Sequence, residues 1–256
     1  MKKLLKVVCA SVICFSLCLV ATLNILKSTA DIIDHSERKK ALSHPDRVSS
    51  IYPGSHKKSI EGSVGSAVRV VSTDTNESVT SLATGTYFTY SNRHYVLTVA
   101  HAIVGPCENL LVIYFENSAT CIEYTSVDVT ADYAIIEIDE MPDRLPIRAP
   151  QTLQLKKYPK ILDKTYYTGY PNSSGPLTFS GTVAGFTDDG LILVQSYAWT
   201  GSSGSGVFDY KGNLIGIVMA LDVGATQYGI DVLEDILIVV PVSEIDWPTA
   251  LRHPRN

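Results

Sequence analysis

Short apolar runs separated by turn-forming residues fill the chain between residues 61 and 246. The runs are rich in Val, Ile, Tyr, Thr and Phe, and Gly, Asn, Asp, Ser or Pro lie between them, which is typical of β-strands. One group comprises Ala67–Ser72, Gly85–Tyr90, Tyr95–Val99, Leu110–Glu116 and Tyr133–Ile136, and a second comprises Thr165–Gly169, Leu177–Phe186, Leu191–Ser196, Gly206–Tyr210, Leu214–Leu221 and Ile236–Val240. Helical periodicity is nearly absent, so the pattern predicts an all-β, mainly antiparallel sandwich or pair of barrels.

A connector without strong periodicity divides the two groups of strands. Residues 140–160 are rich in Pro, Arg and Lys, and we expect them to join two β lobes, at about 61–145 and 160–246. A C-terminal tail, 247–256, follows the second lobe. After Val242, Ser243 is expected to cap a short helix over 244–251 that includes Pro248.

The N-terminal region has a different pattern, in which three lysines precede an apolar stretch from Val7 to Leu26. This arrangement predicts an export signal over 1–26, long enough at about 20 apolar residues to remain as a membrane anchor. Small residues at 28–30 offer signal peptidase a site, so a cleaved signal and secretion is the alternative. Residues 27–60 are polar and contain Pro and many Ser, which predicts a stalk or linker. Either outcome places the bulk of the chain outside the cytoplasm.

Charge and cysteine content restrict which partners, cross-links and cofactors are expected. The net charge is -5 and the few clustered cations are N-terminal, so nucleic acid is not an expected partner. Three of the five cysteines lie in the apolar segment, and Cys107 and Cys121 remain for the folded part. In an oxidising compartment they form either a disulfide or two separate buried thiols. The chain has no CxxC pair and no His cluster in its folded part, so no metal or other cofactor is expected.

One histidine and one aspartate lie at strand ends, where side chains can face a cleft. His101 follows the apolar run 95–100, and Asp132 precedes the apolar strand 133–136. A histidine there can act as a general base and an aspartate can orient it. A buried structural histidine and a turn-capping aspartate are the alternatives, and Asp128 is a second candidate for the acid.

The segment Gly201-Ser202-Ser203-Gly204-Ser205-Gly206 carries the sharpest chemical signal. Three glycines permit a tight turn that presents the Ser203 hydroxyl, with the N–H groups of Gly201 and Ser203 pointing at one spot. A flexible Gly/Ser loop is the alternative. The segment is not a phosphate loop, because no lysine follows the last glycine. It is not an α/β-hydrolase elbow either, because Ser205 occupies the position where that motif needs glycine.

These motifs resemble the three signatures of trypsin-like, chymotrypsin-fold serine proteases, and they occur in the His, Asp, Ser order. The matching segments are Leu97–His101, Asp132–Ile136 and Gly201–Gly206. The resemblance covers about residues 62–246 and is greatest to the bacterial HtrA-like and glutamyl-endopeptidase-like branches, without a PDZ domain. The chain departs from the family in having Ser202 where Asp or Asn is usual, and Gly206 where Pro is usual.

The resemblance implies two six-stranded antiparallel β-barrels with the active site between them. It implies a serine endopeptidase that cleaves protein or peptide substrates through an acyl-enzyme, with His101, Asp132 and Ser203 as the triad. The N–H groups of Gly201 and Ser203 would form the oxyanion hole. Two alternatives stay open: a protease-fold binding or scaffold protein with impaired catalysis, and an esterase.

The resemblance also implies where substrate binds. Tyr197 would lie at the base of the pocket for the P1 side chain, and the pocket wall would be formed by Met219, Ala220 and Leu221. Thr200 is also expected to contact the substrate. None of these residues is an acid or a histidine, so a small or apolar P1 residue is expected rather than a charged one.

Overall fold

Strand pairing organises the chain into the two closed six-stranded barrels that the resemblance implies, and that prediction is confirmed. The computed structural model describes residues 54–76, 78–148, 158–226 and 229–251, all within one compact unit. The predicted export segment and the first part of the predicted linker lie outside the described residues. Within the described ranges, no helix is long and apolar enough to cross a membrane.

The first barrel closes between its first two strands. Its antiparallel strands, in the order β1-β4-β5-β6-β3-β2, are β1 (Ala67–Thr73), β2 (Thr80–Tyr90), β3 (Arg93–Thr98), β4 (Leu110–Tyr114), β5 (Asn117–Asp128) and β6 (Tyr133–Ile138). A short strand, β7 (Ile147–Arg148), adds to β2 in parallel. Every residue of β6 is buried, and this strand lies between β3 and β5.

The second barrel has the order β10-β13-β12-β11-β8-β9. Its strands are β8 (Lys164–Gly169), β9 (Leu177–Phe186), β10 (Ile192–Gln195), β11 (Gly206–Asp209), β12 (Leu214–Thr226) and β13 (Gly229–Pro241). Its core packs Tyr167, Val183, Ile192, Val207 and Leu237 together, each at most 1% exposed. These are the inward positions of the alternating runs that predict the strands.

A helix that the sequence pattern does not predict precedes the first barrel. α1 (Gly54–Ser66) contacts β8 and β11, and its buried face carries Ser59 and Ser63. Ser59 Oγ donates to the Asp209 carbonyl at 2.6 Å, and Ser63 Oγ lies 2.9 Å from Thr168 Oγ1. Because this face is polar, the helix shows no apolar period.

The C-terminal helix forms later in the chain than expected. α2 spans Trp247–Ala250, and its cap is Asp246, whose Oδ1 accepts from Thr249 N at 3.3 Å. The prediction of Ser243 as cap of a helix over 244–251 is therefore wrong. Pro248 explains the difference, since proline suits the first helical turn and not the interior of a longer helix.

Strand β5 has no counterpart in the sequence prediction because its surroundings are mostly solvent. Of its twelve residues only Ala119 is buried, so it lacks the alternation that marks a half-buried strand. Its register with β6 shifts twice, between Cys121 and Glu123 and between Tyr124 and Ser126. Such bulges further blur the period of two.

The two cysteines of the folded part are joined. Cys107, just before β4, and Cys121, in β5, form a disulfide with a Cα–Cα distance of 5.4 Å. The bridge spans 14 residues and ties the β4–β5 hairpin across its open end.

Replacing both Cys107 and Cys121 with Ser is expected to lower the free energy of unfolding by about 3 kcal/mol, because the unfolded chain regains the freedom of a closed loop. Urea denaturation of the oxidised protein and of the double variant measures the difference. Equal midpoints and slopes for the two proteins would contradict the expectation.

Candidate active site

His101 and Asp132 meet where two neighbouring strands of the first barrel end. β3 ends at Thr98 and β6 begins at Tyr133, and antiparallel pairing places these ends together. His101 Nδ1 lies 2.8 Å from Asp132 Oδ2, and the His101 backbone N–H donates to Asp132 Oδ1 at 2.9 Å. One carboxylate therefore fixes both the ring and the backbone of His101.

A turn held by a second aspartate presents Asp132. Asp132 has φ of 53°, in the left-handed region that Asp tolerates better than most residues. Asp128 Oδ1 accepts from the N–H groups of Thr130 and Ala131 at 2.8 and 3.0 Å. Asp128, the alternative acid, thus stabilises the turn that directs Asp132 at the imidazole.

The environment of His101 suits a base. Its side chain is 51% exposed and that of Asp132 is 16% exposed, so the imidazole faces the cleft and the carboxylate lies behind it. The hydrogen bond to Asp132 raises the pKa of His101 above its usual 6.5, against the opposing effect of partial burial. A neutral ring that donates Nδ1–H to Asp132 carries its lone pair on Nε2, where it can accept a proton.

Two glycines shape the loop that carries Ser203. Gly201 and Gly204 have φ of 98° and 86°, and a Cβ on Gly201 would lie 2.6 Å from the Tyr170 carbonyl oxygen. A Cβ on Gly204 would lie 2.0 Å from the Thr84 carbonyl oxygen. Both positions therefore need glycine for its backbone angles and for space.

Two carbonyls of this loop are held by hydrogen bonds. The Thr200 carbonyl accepts from Asn172 N at 2.7 Å, and the Ser202 carbonyl accepts from Ser205 Oγ at 2.6 Å and from Ser205 N at 3.0 Å. In a planar trans peptide the N–H points opposite to the C=O of the same unit. The N–H groups of Gly201 and Ser203 are therefore turned the other way, and within the described residues neither has a hydrogen-bond acceptor.

Thr84, in β2, connects the first barrel to this loop. Its backbone N–H donates to the Ser203 carbonyl at 2.8 Å, and its Oγ1 donates to the Gly201 carbonyl at 2.7 Å. The same hydroxyl accepts from Tyr170 N at 3.0 Å. Thr84 is fully buried, so these bonds fix the distance between the half of the site with His101 and the half with Ser203.

The Ser203 hydroxyl lies in the cleft but has a different partner from the imidazole. Ser203 Oγ donates to the Met219 carbonyl at 3.1 Å. Among the described residues, the His101 ring is hydrogen-bonded to Asp132 and not to Ser203. The His101–Asp132 contact is made, and a contact between Ser203 and His101 is not.

The predicted pocket residues occupy the second barrel and its loop. Tyr197 is 48% exposed and lies 5.6 Å, between ring centroids, from Phe179, and both Phe179 and Leu221 pack against the barrel core. Thr200 is exposed, and Met219 and Ala220 are half-buried on β12 next to the loop. The surface near Ser203 thus offers aromatic and aliphatic side chains, and the roles of these residues stay predictions.

The site gathers the groups that acyl transfer requires: a base, an acid that orients it, a hydroxyl, and two backbone donors. Over the described ranges, no group of three or more His, Cys, Asp or Glu side chains could hold a metal ion.

Thr84, Asn172 and Ser205 are the positioning residues that sequence reasoning missed. Each acts on a carbonyl of the Ser203 loop, and two of them lie far from it in sequence. Only Ser205 lies inside a motif, where it differs from the glycine of an α/β-hydrolase elbow.

Comparison with known proteins agrees with this geometry. The sequence matches the trypsin-like peptidase domain family over residues 83–217, which is more than half of the chain. Many solved structures share the fold. A serine endoprotease from Yersinia pestis is 19% identical with a TM-score of 0.58, and the alignment covers 75% of this chain and 64% of that one. The Rv3671c protease of M. tuberculosis in its active form is 17% identical with a TM-score of 0.58, covering 77% and 85% of the two chains.

An HtrA-type protease, AlgW, with a tripeptide is 18% identical with a TM-score of 0.54, covering 74% of this chain and 60% of that one. The chain thus spans less than two thirds of the Yersinia and AlgW proteins. No curated protein matches its sequence.

The class defined by fold and site is a two-barrel protein of the chymotrypsin type, with His101 and Asp132 on the first barrel and Ser203 on a loop of the second. Within that class, the chain belongs to the trypsin-like peptidase domain family and is related in fold to HtrA-type proteases.

Replacing Thr84 with Val keeps the size of the side chain and removes its hydroxyl. We expect the free energy of unfolding to fall by about 1–3 kcal/mol, because the buried Gly201 carbonyl and Tyr170 N–H lose a partner. Chemical denaturation measures the loss. Thr84→Ser, which keeps the hydroxyl, is the matched control and should restore most of the difference. A Val variant as stable as wild type would show that the bridge is not stabilising.

Proposed function

We propose that the protein is a serine endopeptidase that hydrolyses peptide bonds through His101, Asp132 and Ser203. The observation that carries the proposal is the double contact of Asp132 with His101, which orients the imidazole toward the cleft. The second support is the Ser203 loop, whose two available N–H groups lie beside the hydroxyl.

In the proposed mechanism the Ser203 side chain rotates away from the Met219 carbonyl toward His101. Ser203 Oγ attacks the carbonyl carbon of the scissile bond while its proton passes to His101 Nε2. The electron pair of the carbonyl moves onto oxygen, where the N–H groups of Gly201 and Ser203 donate to it. Collapse expels the amine, which takes the proton from His101. Water then repeats the sequence on the acyl-enzyme and releases the acid.

Asp132 has two tasks in this scheme. It keeps the neutral His101 in the tautomer whose Nε2 can accept a proton, and it stabilises the imidazolium that forms after transfer. The second task follows from the same hydrogen bond that raises the pKa of His101.

One observation bears on the alternative of a protease-fold binding protein. Ser203 Oγ donates to Met219 and not to the base in the described structure, so the nucleophile is not activated in this arrangement. Catalytic hydrogen bonds are often absent before substrate binds, and this contact alone does not favour a scaffold over an enzyme. The reactivity of Ser203 distinguishes a binding protein from an enzyme.

Labelling of the full-length chain with a fluorophosphonate probe tests whether Ser203 is activated. We expect covalent labelling of wild type and none of Ser203→Ala or His101→Ala, with peptide turnover in Ser203→Ala lower by about a million-fold. Ser118→Ala, at an exposed position in β5, is the matched control and should label like wild type. A folded wild type that neither labels nor cleaves peptides would support the binding protein. Turnover of esters without peptides would support the esterase.

The pH dependence of kcat/KM tests the assignment of the base. Protonated His101 cannot accept the Ser203 proton, so activity should rise with pH through an apparent pKa above 6.5. Asp132→Asn should move this pKa downward, because the hydrogen bond that raises it is weakened, and should lower kcat by about 10⁴-fold. A profile unchanged by Asp132→Asn would exclude Asp132 as the partner of the base.

A further inference from the structure

Two arginines and two tyrosines form a cluster to which both barrels and the connector contribute. Arg69 lies in β1, Tyr114 ends β4, Arg144 belongs to the connector ahead of β7, and Tyr170 directly follows β8. The guanidinium carbon of Arg69 lies 5.0 Å from the centroid of the Tyr170 ring, and that of Arg144 lies 3.9 Å from the centroid of the Tyr114 ring. Arg144 and Tyr170 are each only 6% exposed, so most of the cluster is shielded from water.

Electrostatic interactions connect the two halves of this cluster. Burial raises the pKa of Tyr170 to about 12, against the opposing charges of Arg144 and Arg69. Burial lowers the pKa of Arg144, and its interactions with Tyr114 and Tyr170 oppose that change. Arg144 and Tyr170 therefore act on each other as well as on their stacking partners, and the four side chains belong to one site.

The cluster contains most of the unsatisfied buried polar atoms in the described structure. Four buried side-chain atoms there have no hydrogen-bond partner, and three of them are Nε of Arg69, Nε of Arg144 and the hydroxyl of Tyr170. Each arginine donates from Nη2 to a carbonyl, Arg69 to that of Ser173 at 2.7 Å and Arg144 to that of Val64. These bonds hold both guanidinium groups while their Nε–H groups have no acceptor.

The positive charges of the cluster also have no negative partner in the described ranges. Neither Arg69 nor Arg144 takes part in an ion pair there, whereas the buried Glu137 carboxylate is paired with Arg93 at 2.6 Å. The attraction of Asp143 is the smallest of the effects on the pKa of Arg144. Buried charges in folded proteins are normally paired, because an isolated one is costly. The cluster thus has charge and donors but no acceptor of its own.

We propose that this cluster binds one small tetrahedral oxyanion, of the phosphate or sulfate class, through Nε of Arg69, Nε of Arg144 and the hydroxyl of Tyr170. Guanidinium N–H groups suit such ions because they donate charge-assisted hydrogen bonds. Three separate donors match an ion with more than two acceptor oxygens, which favours a tetrahedral oxyanion over a carboxylate. Arg69 is half-buried and Ser173 is exposed, so the ion reaches the cluster from that side.

Binding at this cluster adds a contact between the barrels. Tyr170 N donates to Thr84 Oγ1 at 3.0 Å, and a Cβ on Gly201 would lie 2.6 Å from the Tyr170 carbonyl oxygen. The ion therefore connects the arginines with a residue that packs against the Ser203 loop. The ion contacts none of the proposed catalytic residues, so this site does not depend on the proposed function.

Isothermal titration calorimetry of the full-length chain tests the site. Sodium phosphate, sodium sulfate and sodium acetate are compared at one ionic strength. We expect one phosphate or sulfate per chain, with acetate at least tenfold weaker, because it cannot satisfy three donors. Acetate that binds as tightly as phosphate would overturn the assignment to a tetrahedral oxyanion.

Two substitutions identify the residues that hold the ion. Tyr170→Phe removes one donor and should raise the Kd for phosphate about tenfold, and Arg69→Gln should raise it further, because a charge is lost as well. Tyr124→Phe is the matched control for the first, since the Tyr124 hydroxyl already donates to the Gly105 carbonyl at 2.9 Å. Lys211→Gln is the control for the second, since Lys211 is exposed and lies 5.2 Å from the Tyr210 ring centroid. Both controls should bind phosphate like wild type.

Crystals of the protein soaked in sodium selenate locate the ion directly, because selenium scatters anomalously. We expect an anomalous peak within hydrogen-bond distance of Arg69 Nε, Arg144 Nε and the Tyr170 hydroxyl. Three results would overturn the site: no saturable binding of phosphate or sulfate, equal Kd values for Tyr170→Phe and Tyr124→Phe, or selenate only at surface lysines. Each of these would mean that ordered water, and not an anion, satisfies the three donors.

Discussion

The candidate site depends on the hydrogen bonds of Thr84, because its two halves belong to different barrels. His101 and Asp132 are placed by strands of the first barrel, and Ser203 by a loop of the second. Thr84 spans the gap with a backbone and a side-chain hydrogen bond to that loop. A shift of this contact by even a fraction of an ångström would move Ser203 relative to His101.

The same contact reaches the strand that carries the histidine. Thr98 Oγ1 donates to the Thr84 carbonyl at 2.8 Å, and Thr98 is the last residue of β3, three positions before His101. A Cβ on Gly204 would lie 2.3 Å from Thr98 Oγ1. One buried polar network thus connects Thr98, Thr84 and the Ser203 loop, and glycine at position 204 allows these parts to approach. Such networks specify a single arrangement because every unpaired member is costly.

How much the sequence reveals depends on how local each feature is. The strands of both barrels are predictable where one face is buried, since alternation records burial directly. β5 is mostly exposed and α1 buries serines, so neither leaves an apolar pattern. The triad candidates lie in short motifs that can be read locally. The contacts of Thr84 and Asn172 with the Ser203 loop join residues far apart in sequence, and only the folded chain brings them together.

The departure at Ser202 from the family pattern has a physical consequence for how the loop is held. Ser202 is 1% exposed and carries no charge, so this position needs no buried cation to balance it. In the described structure the neighbouring carbonyls are instead held by neutral donors from Asn172, Thr84 and Ser205. All three donors come from within the two barrels. In the described structure these hydrogen bonds orient the peptide units that carry the N–H groups of Gly201 and Ser203, and Ser202 contributes no ion pair.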